Sequence, residues 1–385
     1  MNILIVGGNL DNKGAYLMLV TLISELKKRF PNSNICVSPS IRDAELEKLD
    51  LKYLDFPLLH IGFDRFAMFL KYGNIIKLLK KKFRGEIKFS EIDIIFDISG
   101  YAYSDFWGPS PVHNLLLLLD HCKRKNIKYI LMPQAFGPFT NIELVSGMKK
   151  VLENVDLIFA RDKVSKTHLE QISNQSNKKV DLFPDITLNY SISETNSDEK
   201  SDKYCCIVPN ERMLDKGKEI WKGNYVKVMT KVVDQILTTS DLRINILVHD
   251  TFNGGDGIIA SKIKDAFQSD RVEIVAISDA IEIKKFIKKS QFLIGSRYHS
   301  IASALSSDVP AIGLGWSHKY QMLFDDYNLS SYIFETPNEL EIENLTQKLL
   351  NTDHNKVLRE QLQLVNKEIH KKFKDMWDII IDEIN

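Results

Sequence analysis

Arg297 and His299, two residues apart, are the residues best suited to chemistry on an anionic substrate. Arginine is a permanent cation whose planar group binds carboxylates and phosphates, and the imidazole of histidine titrates near neutral pH. An apolar run, residues 292–294, precedes them, and a helical pattern of small residues, 301–306, follows. This order predicts a strand, a turn and a helix whose N-terminal N–H groups attract anions. An arginine and a histidine in a loop are often only solvated surface residues. Here both the residue types and their position at a strand end favour an anion-binding site.

Further basic and polar residues follow predicted strands, where ligands bind in open parallel sheets. Ser300 lies in the same turn, and Arg161 directly follows the predicted strand 155–160. The residues predicted to line an anion site are Arg161, His249, Arg297, His299, Ser300, His318 and Lys319. Arg161 has a structural alternative, an ion pair with Asp162 or another neighbour, and Asp185 is a candidate for orienting a basic residue.

Candidates for sugar binding lie in the first half of the chain. A glycine turn after the first predicted strand contains Asn12 and Gly14, and such turns often contact substrates. Gln134 lies in a loop rich in Gly and Pro, and Tyr101, Tyr103 and Trp107 lie in an aromatic loop that could stack on sugars. The turn matches no nucleotide-binding motif, and its alternative role is simply to connect strand and helix. Loop aromatics, likewise, often only pack.

The elements that position these residues alternate between strand and helix in two successive series. The polar stretch 191–203 separates residues 1–190 from residues 204–350, and residues 351–385 read as a C-terminal helical segment. Each series predicts a doubly wound, Rossmann-like α/β domain. We therefore predict two such domains facing across a cleft, with the sugar-binding candidates in the first and most of the anion-site candidates in the second.

Composition excludes several classes of protein. The 385 residues include 51 basic and 51 acidic side chains, which argues against general nucleic-acid binding. The four cysteines lack metal-ligand spacing, and the predicted state is buried free thiols in a reducing compartment. We find no paired carboxylates or histidine-rich spacing, so we predict no metal and no cofactor.

Membrane contact is a separate question. The N-terminal run is too short for a signal peptide and no apolar stretch would span a bilayer, which predicts a cytoplasmic protein. Residues 56–83 have helical apolar spacing, and lysines cluster toward their end. A basic amphipathic helix at 63–84 would bind the inner face of a membrane peripherally, whereas the alternative is a helix packed on the sheet.

Across nearly its whole length the chain resembles the polysaccharide pyruvyl transferase family. The resemblance rests on Gly7-Gly8, Asn12-Lys13-Gly14-Ala15, residues 156–162 (DLIFARD) with Ser165 and Leu169, Pro184-Asp185, and residues 295–300 (GSRYHS) with 309–312 (VPAI) and Lys319. The arginine–histidine segment is the most specific of these motifs. Many members carry Asn-x-Gly-Asp near the start, where this chain departs from the pattern and has Ala15 in place of the acidic residue.

The resemblance implies a fold like that of the GT-B glycosyltransferases. It also implies transfer of a pyruvyl group from phosphoenolpyruvate, as co-substrate, to a sugar of a cell-surface polysaccharide, an exopolysaccharide or a lipid-linked precursor. The product would usually be a ketal bridging two hydroxyls. By motif, His299 is the expected acid/base, and Arg297 and Arg161 are expected donor contacts.

Two other functions fit the same features. A GT-B glycosyltransferase with a nucleotide-sugar donor would have the same fold and basic strand ends. A non-catalytic protein of glycan assembly would keep the aromatic loop without needing His299. The sequence does not specify the acceptor sugar or the oligomeric state.

Overall fold

The computed structural model describes residues 1–8, 12–37, 49, 51–55, 87–173, 178–192, 203–215, 217, 219–250 and 255–385. The chain forms two compact units. The first comprises residues Met1–Ile186 and Lys372–Asn385, and the second comprises Thr187–Lys371.

The first unit is built on an eight-stranded, fully parallel sheet. Its strands are β1 (Asn2–Val6), β2 (Asn34–Val37), β3 (Lys52–Asp55), β4 (Ile87–Lys88), β5 (Ile94–Asp97), β6 (Lys128–Gln134), β7 (Leu157–Ala160) and β8 (Asp181–Leu182). Their order is β4-β3-β2-β1-β5-β6-β7-β8. The connecting helices are α1 (Lys13–Arg29), α2 (Ser110–Lys125), α3 (Ile142–Asn154) and α4 (Lys163–Ser173).

The second unit is built on a six-stranded parallel sheet in the order β11-β10-β9-β12-β13-β14. Its strands are β9 (Tyr204–Val208), β10 (Arg243–Val248), β11 (Val272–Ala276), β12 (Leu293–Gly295), β13 (Ala311–Leu314) and β14 (Ile333–Phe334). Its helices are α5 (Arg212–Asp215), α6 (Glu219–Thr239), α7 (Gly255–Lys264), α8 (Ala280–Lys289), α9 (Tyr298–Leu305), α10 (His318–Asp326), α11 (Glu339–Leu350) and α12 (Thr352–Ile384). All five residues of β9 are buried, as expected of a central strand covered on both faces.

Each sheet has a switch point, where connections leave neighbouring strands in opposite directions and leave a crevice at their carboxyl ends. In the first sheet this point lies between β1 and β5. Gly7 there has a φ of +85°, and a Cβ on it would lie 2.4 Å from the backbone nitrogen of Ser99. In the second sheet the switch point lies between β9 and β12, directly before Arg297.

Most predicted elements are present, with shifted ends. The predicted helix at 301–306 begins earlier, at Tyr298, so His299 and Ser300 lie in its first turn. Asp185 lies between two short elements, because β8 ends at Leu182 and a 3-10 helix begins at Ile186. The C-terminal segment forms one long helix, α12, whose residues from Lys372 onward belong to the first unit.

The predicted basic helix at 63–84 and most of the predicted linker lie outside the described residues. Within the part of the chain that is described, every helix is too short or too polar to cross a bilayer.

The prediction of buried free thiols is confirmed for Cys36, Cys122, Cys205 and Cys206. Burial raises the pKa of Cys36, Cys122 and Cys206 to about 12, and raises that of Cys205 well above its usual value. The thiolate is the reactive form, so we expect iodoacetamide at pH 8 to leave the native protein unlabelled and to label all four thiols in urea. Intact-mass spectrometry measures this, and rapid labelling of the native protein would contradict the burial described here.

Candidate functional site

The turn after β12 is held in place by close backbone packing. A Cβ on Gly295 would lie 2.8 Å from both the Cβ and the carbonyl oxygen of Val208 on β9, so glycine is required where the two strands approach. Ser296 follows and is fully buried. Its carbonyl oxygen accepts hydrogen bonds from Asn210 Nδ2 at 2.8 Å and from the Tyr320 hydroxyl at 2.9 Å. The peptide that leads into Arg297 is therefore fixed from two sides.

Arg297 is the N-cap residue of α9, and its guanidinium is paired with Asp256. Its Nε and Nη2 donate to the two carboxylate oxygens of Asp256 at 2.8 and 2.6 Å, and its Nη1 lies 3.3 Å from Asp250 Oδ2. Burial opposes the charge of Arg297, but hydrogen bonding and attraction to both carboxylates raise its pKa. The sequence predicted this arginine but not the carboxylates that hold it.

Asp256 is fully buried near the start of α7. Besides the arginine, it accepts hydrogen bonds from the backbone N–H groups of Glu211 at 3.1 Å and Asp250 at 3.0 Å. It thus ties together the loops that follow β9, β10 and β12. A glycine pair before an acidic residue at a helix start is the only sequence signal that could have indicated it.

His299 and Ser300 occupy the first turn of α9. The ring of His299 is half-buried and meets Tyr298 edge to face, with centroids 5.2 Å apart. Ser300 is fully buried, and its hydroxyl has no hydrogen-bond partner among the described residues. A buried hydroxyl of this kind is costly unless a ligand or water completes its hydrogen bonding.

Lys319 supplies a second cation, at the start of α10 after the neighbouring strand β13. Its ammonium lies 5.2 Å from the ring centroid of Trp316, 5.4 Å from that of Tyr320 and 5.5 Å from that of Tyr298. Aromatic faces at such distances attract a cation, so the three rings help to fix the position of the ammonium. His318, the first residue of α10, is half-buried beside it in sequence.

The second unit therefore brings five predicted residues to the carboxyl ends of two adjacent strands: Arg297, His299, Ser300, His318 and Lys319. His249, also predicted, is buried at the end of β10 and directly precedes Asp250. The arrangement combines a titratable imidazole with fixed cations and a helix N-terminus, which suits acid–base chemistry on an anion.

A buried polar cluster lies at the switch point of the first sheet. Asp97, at the end of β5, is fully buried and accepts hydrogen bonds from the hydroxyls of Tyr103 at 2.6 Å and Tyr129 at 2.7 Å. Gln134 Nε2 donates to the Asp97 carbonyl at 3.3 Å, while its Oε1 is buried without a hydrogen-bond partner in the described ranges. The sequence predicted Gln134 but not Asp97.

The aromatic loop has a different arrangement from the predicted sugar platform. Tyr103 is fully buried and stacks on Phe136, so the prediction that it stacks on a sugar is wrong. Tyr101 is half-buried, and its hydroxyl donates to the Gly137 carbonyl at 3.0 Å. Trp107 is 58 % exposed and contacts Phe106 edge to face.

Asn12 and Gly14 lie at the start of α1. The side-chain oxygen of Asn12 accepts hydrogen bonds from the backbone N–H groups of Gly14 at 2.9 Å and Ala15 at 3.2 Å, which makes it the helix cap. This oxygen is therefore already used by the backbone.

Arg161 is buried directly after β7. Its Nη1 donates to Asp185 Oδ2 at 2.9 Å, and its Nε lies 4.0 Å from Asp162 Oδ2. The expectation that Asp185 orients a basic residue is confirmed by this contact. The side chain of Arg161 is 6 % exposed and that of Asp185 is 1 % exposed, so the ion pair lies in a low-dielectric environment.

Among the described residues, no group of three or more His, Cys, Asp or Glu side chains is arranged to hold a metal ion.

A family model described as polysaccharide pyruvyl transferase matches residues 12–318. The match includes the arginine–histidine segment and ends at His318. No curated protein matches the chain.

Several solved structures share the fold. A putative UDP-N-acetylglucosamine 2-epimerase from Listeria monocytogenes is 12 % identical, with a TM-score of 0.63 and coverage of 98 % of this chain and 96 % of that one. The UDP-GlcNAc 2-epimerase from Neisseria meningitidis is 13 % identical, with a TM-score of 0.60 and coverage of 99 % and 100 %. A glycosyltransferase from Rickettsia africae is 14 % identical, with a TM-score of 0.59 and coverage of 100 % and 98 %. These similarities confirm the predicted GT-B-like, two-domain α/β fold.

Proposed function

The chain belongs to the polysaccharide pyruvyl transferase family, and on that premise we propose that it transfers the pyruvyl group of phosphoenolpyruvate to a sugar as a ketal. The acceptor is a sugar of a cell-surface polysaccharide or of its lipid-linked precursor. The observation that carries the proposal is the grouping of Arg297, His299, Ser300, His318 and Lys319 at two adjacent strand ends.

Phosphoenolpyruvate has a phosphate and a carboxylate, so its binding site needs fixed cations and hydrogen-bond donors. Lys319 supplies a cation that lies over aromatic rings, and Ser300 supplies a buried hydroxyl. The helix starts at Tyr298 and His318 add backbone N–H groups. We propose that Lys319, Ser300 and His318 contact one anionic group, with Arg297 as a further donor contact.

The transfer needs two proton movements that an imidazole can serve. Carbon 3 of phosphoenolpyruvate gains a proton and becomes a methyl group, and two sugar oxygens bond to carbon 2. The bond between carbon 2 and the phosphate oxygen breaks. Of the two protons that the sugar hydroxyls lose, one matches the proton gained by carbon 3, and the other is carried away by the released phosphate. His299, in the first turn of α9, performs at least one of these transfers.

The acceptor side is proposed for the first unit. Gln134 has a buried carbonyl oxygen able to accept a hydrogen bond, and Tyr101 is half-buried at the same switch point. Asn12 and Gly14 begin α1 beside the end of β1, and we assign them to the acceptor on position alone.

Thermal unfolding with phosphoenolpyruvate tests the donor assignment. A ligand that binds only the native state at about 100 times its Kd stabilises it by about 2.7 kcal/mol, so we expect a clear rise in Tm. Lys319→Ala should lose this rise because it removes the cation held by the rings. Lys285→Ala, which removes an exposed lysine paired with Glu282 on α8, is the matched control and should keep it.

Nucleotide-sugars provide the contrasting arm of the same experiment. A rise in Tm with UDP-N-acetylglucosamine or another nucleotide-sugar, and none with phosphoenolpyruvate, would contradict the proposal. That result would favour a reaction on a nucleotide-sugar, such as glycosyl transfer.

A further inference from the structure

Asp256 is the residue on which the geometry around Arg297 depends. Its two oxygens accept hydrogen bonds from Nε and Nη2 of the guanidinium, from the backbone N–H of Glu211 in the loop after β9, and from the backbone N–H of Asp250, six residues earlier in the chain. We propose that Asp256 is a positioning residue, which sets the orientation in which Arg297 meets the donor. The inference rests on the proposed donor, phosphoenolpyruvate, and assigns a role to a residue outside the predicted site.

The two hydrogen bonds from Asp256 fix the plane of the guanidinium. A single contact would let the group rotate, whereas a paired contact to both carboxylate oxygens defines both its plane and its direction. The carboxylate itself accepts hydrogen bonds from the N–H groups of Glu211 and Asp250, which restrict its movement. The loops after β9 and β10 therefore together orient Arg297, which itself follows β12.

This arrangement leaves the Nη1 side of Arg297 for the donor. Nη1 lies 3.3 Å from Asp250 Oδ2, and the side chain of Asp250 is 33 % exposed whereas that of Asp256 is 0 % exposed. Asp250 is the exchangeable partner: an anionic group of the donor takes its place at Nη1 while Asp256 stays bound. The two carboxylates therefore have opposite effects on donor binding.

Substituting each carboxylate by its amide separates positioning from charge. Asp256→Asn and Asp250→Asn both remove one negative charge beside Arg297, so electrostatics alone predicts tighter binding of an anion in both variants. If Asp256 positions Arg297, the two substitutions change the affinity for phosphoenolpyruvate in opposite directions. Asp256→Asn puts an amide NH2 opposite an arginine donor and breaks the paired contact.

The measurement is the Kd of phosphoenolpyruvate by calorimetry on the full chain. We expect Asp256→Asn to weaken binding about tenfold or more, and Asp250→Asn to bind as tightly as the wild type or more tightly. Folded Asp256→Asn protein with an unchanged or lower Kd would overturn the proposal. Weaker binding in Asp250→Asn of the same size would also overturn it, since Asp256 would then have no distinct role.

Arg297→Lys keeps the inference testable where Asp256→Asn does not fold. Lysine retains the charge but cannot form the paired hydrogen bonds that Nε and Nη2 of Arg297 donate to Asp256. If positioning matters, Arg297→Lys binds phosphoenolpyruvate as weakly as Arg297→Ala; binding like that of the wild type would overturn the role of Asp256. A wild type that does not bind phosphoenolpyruvate would instead overturn the proposed donor and this inference with it.

Discussion

Replacing His299 with Ala is expected to lower kcat by about 100- to 10,000-fold, the usual contribution of a general acid or base. The side chain lies in the first turn of α9, half-buried against Tyr298, and the backbone of that turn is fixed through Ser296. Truncation therefore removes the imidazole and its edge-to-face contact with Tyr298, while the backbone of the turn stays held through Ser296. We expect the Tm and the Kd of phosphoenolpyruvate to change little.

The experiment compares kcat, Tm and donor Kd of His299→Ala with those of His113→Ala. His113 is an exposed histidine on α2 whose partner is Glu143, so its loss should leave all three quantities unchanged. Near-normal turnover of folded His299→Ala protein would remove His299 from the chemistry. A large loss of donor binding with little change in kcat would assign it to binding instead.

Asp185→Ala is expected to lower the free energy of unfolding by about 3–5 kcal/mol, since it removes the carboxylate 2.9 Å from the buried Arg161 and leaves Asp162, at 4.0 Å, as a weaker partner. The remaining charge would be Arg161, whose side chain is 6 % exposed. Denaturant titration measures the loss. The matched control is Asp181→Ala, which removes the partner of the exposed Lys179 and should cost about 1 kcal/mol or less.

A double-mutant cycle with Arg161→Ala identifies the cause. If the two side chains stabilise the unit through each other, the double variant costs clearly less than the sum of the single ones. Additive losses would show that the contact between Arg161 and Asp185 is not the source of the effect.

The alternation of strands and helices was predictable because central strands of a parallel sheet are apolar throughout. The residues of β9 and β13 are almost all apolar, and such short apolar runs between helical patterns are typical of buried parallel strands. The edge strands β4 and β14 have two residues each and were not predicted. They form only because a neighbouring strand offers hydrogen bonds, and such short segments have no periodicity of their own.

The arginine–histidine turn was predictable because its residues are adjacent in sequence. Asp256 was not, because the two contacts that define it join residues 41 and 45 positions apart. Tyr103 shows the converse. It lies in a polar loop and suggested an exposed ring, but the hydroxyl finds a buried acceptor in Asp97 and the ring packs on Phe136. A local sequence pattern does not reveal a contact with a residue that only the folded chain brings close.

The most direct test of the central claim is the fate of phosphoenolpyruvate in heavy water. The protein is incubated with phosphoenolpyruvate, a nucleotide-sugar and a lipid-linked glycan extract, and phosphate release and the product methyl group are followed by NMR. We predict acceptor-dependent phosphate release and a pyruvyl methyl group carrying one deuteron from solvent, because carbon 3 is protonated during transfer. Consumption of the nucleotide-sugar with phosphoenolpyruvate left intact would contradict the account.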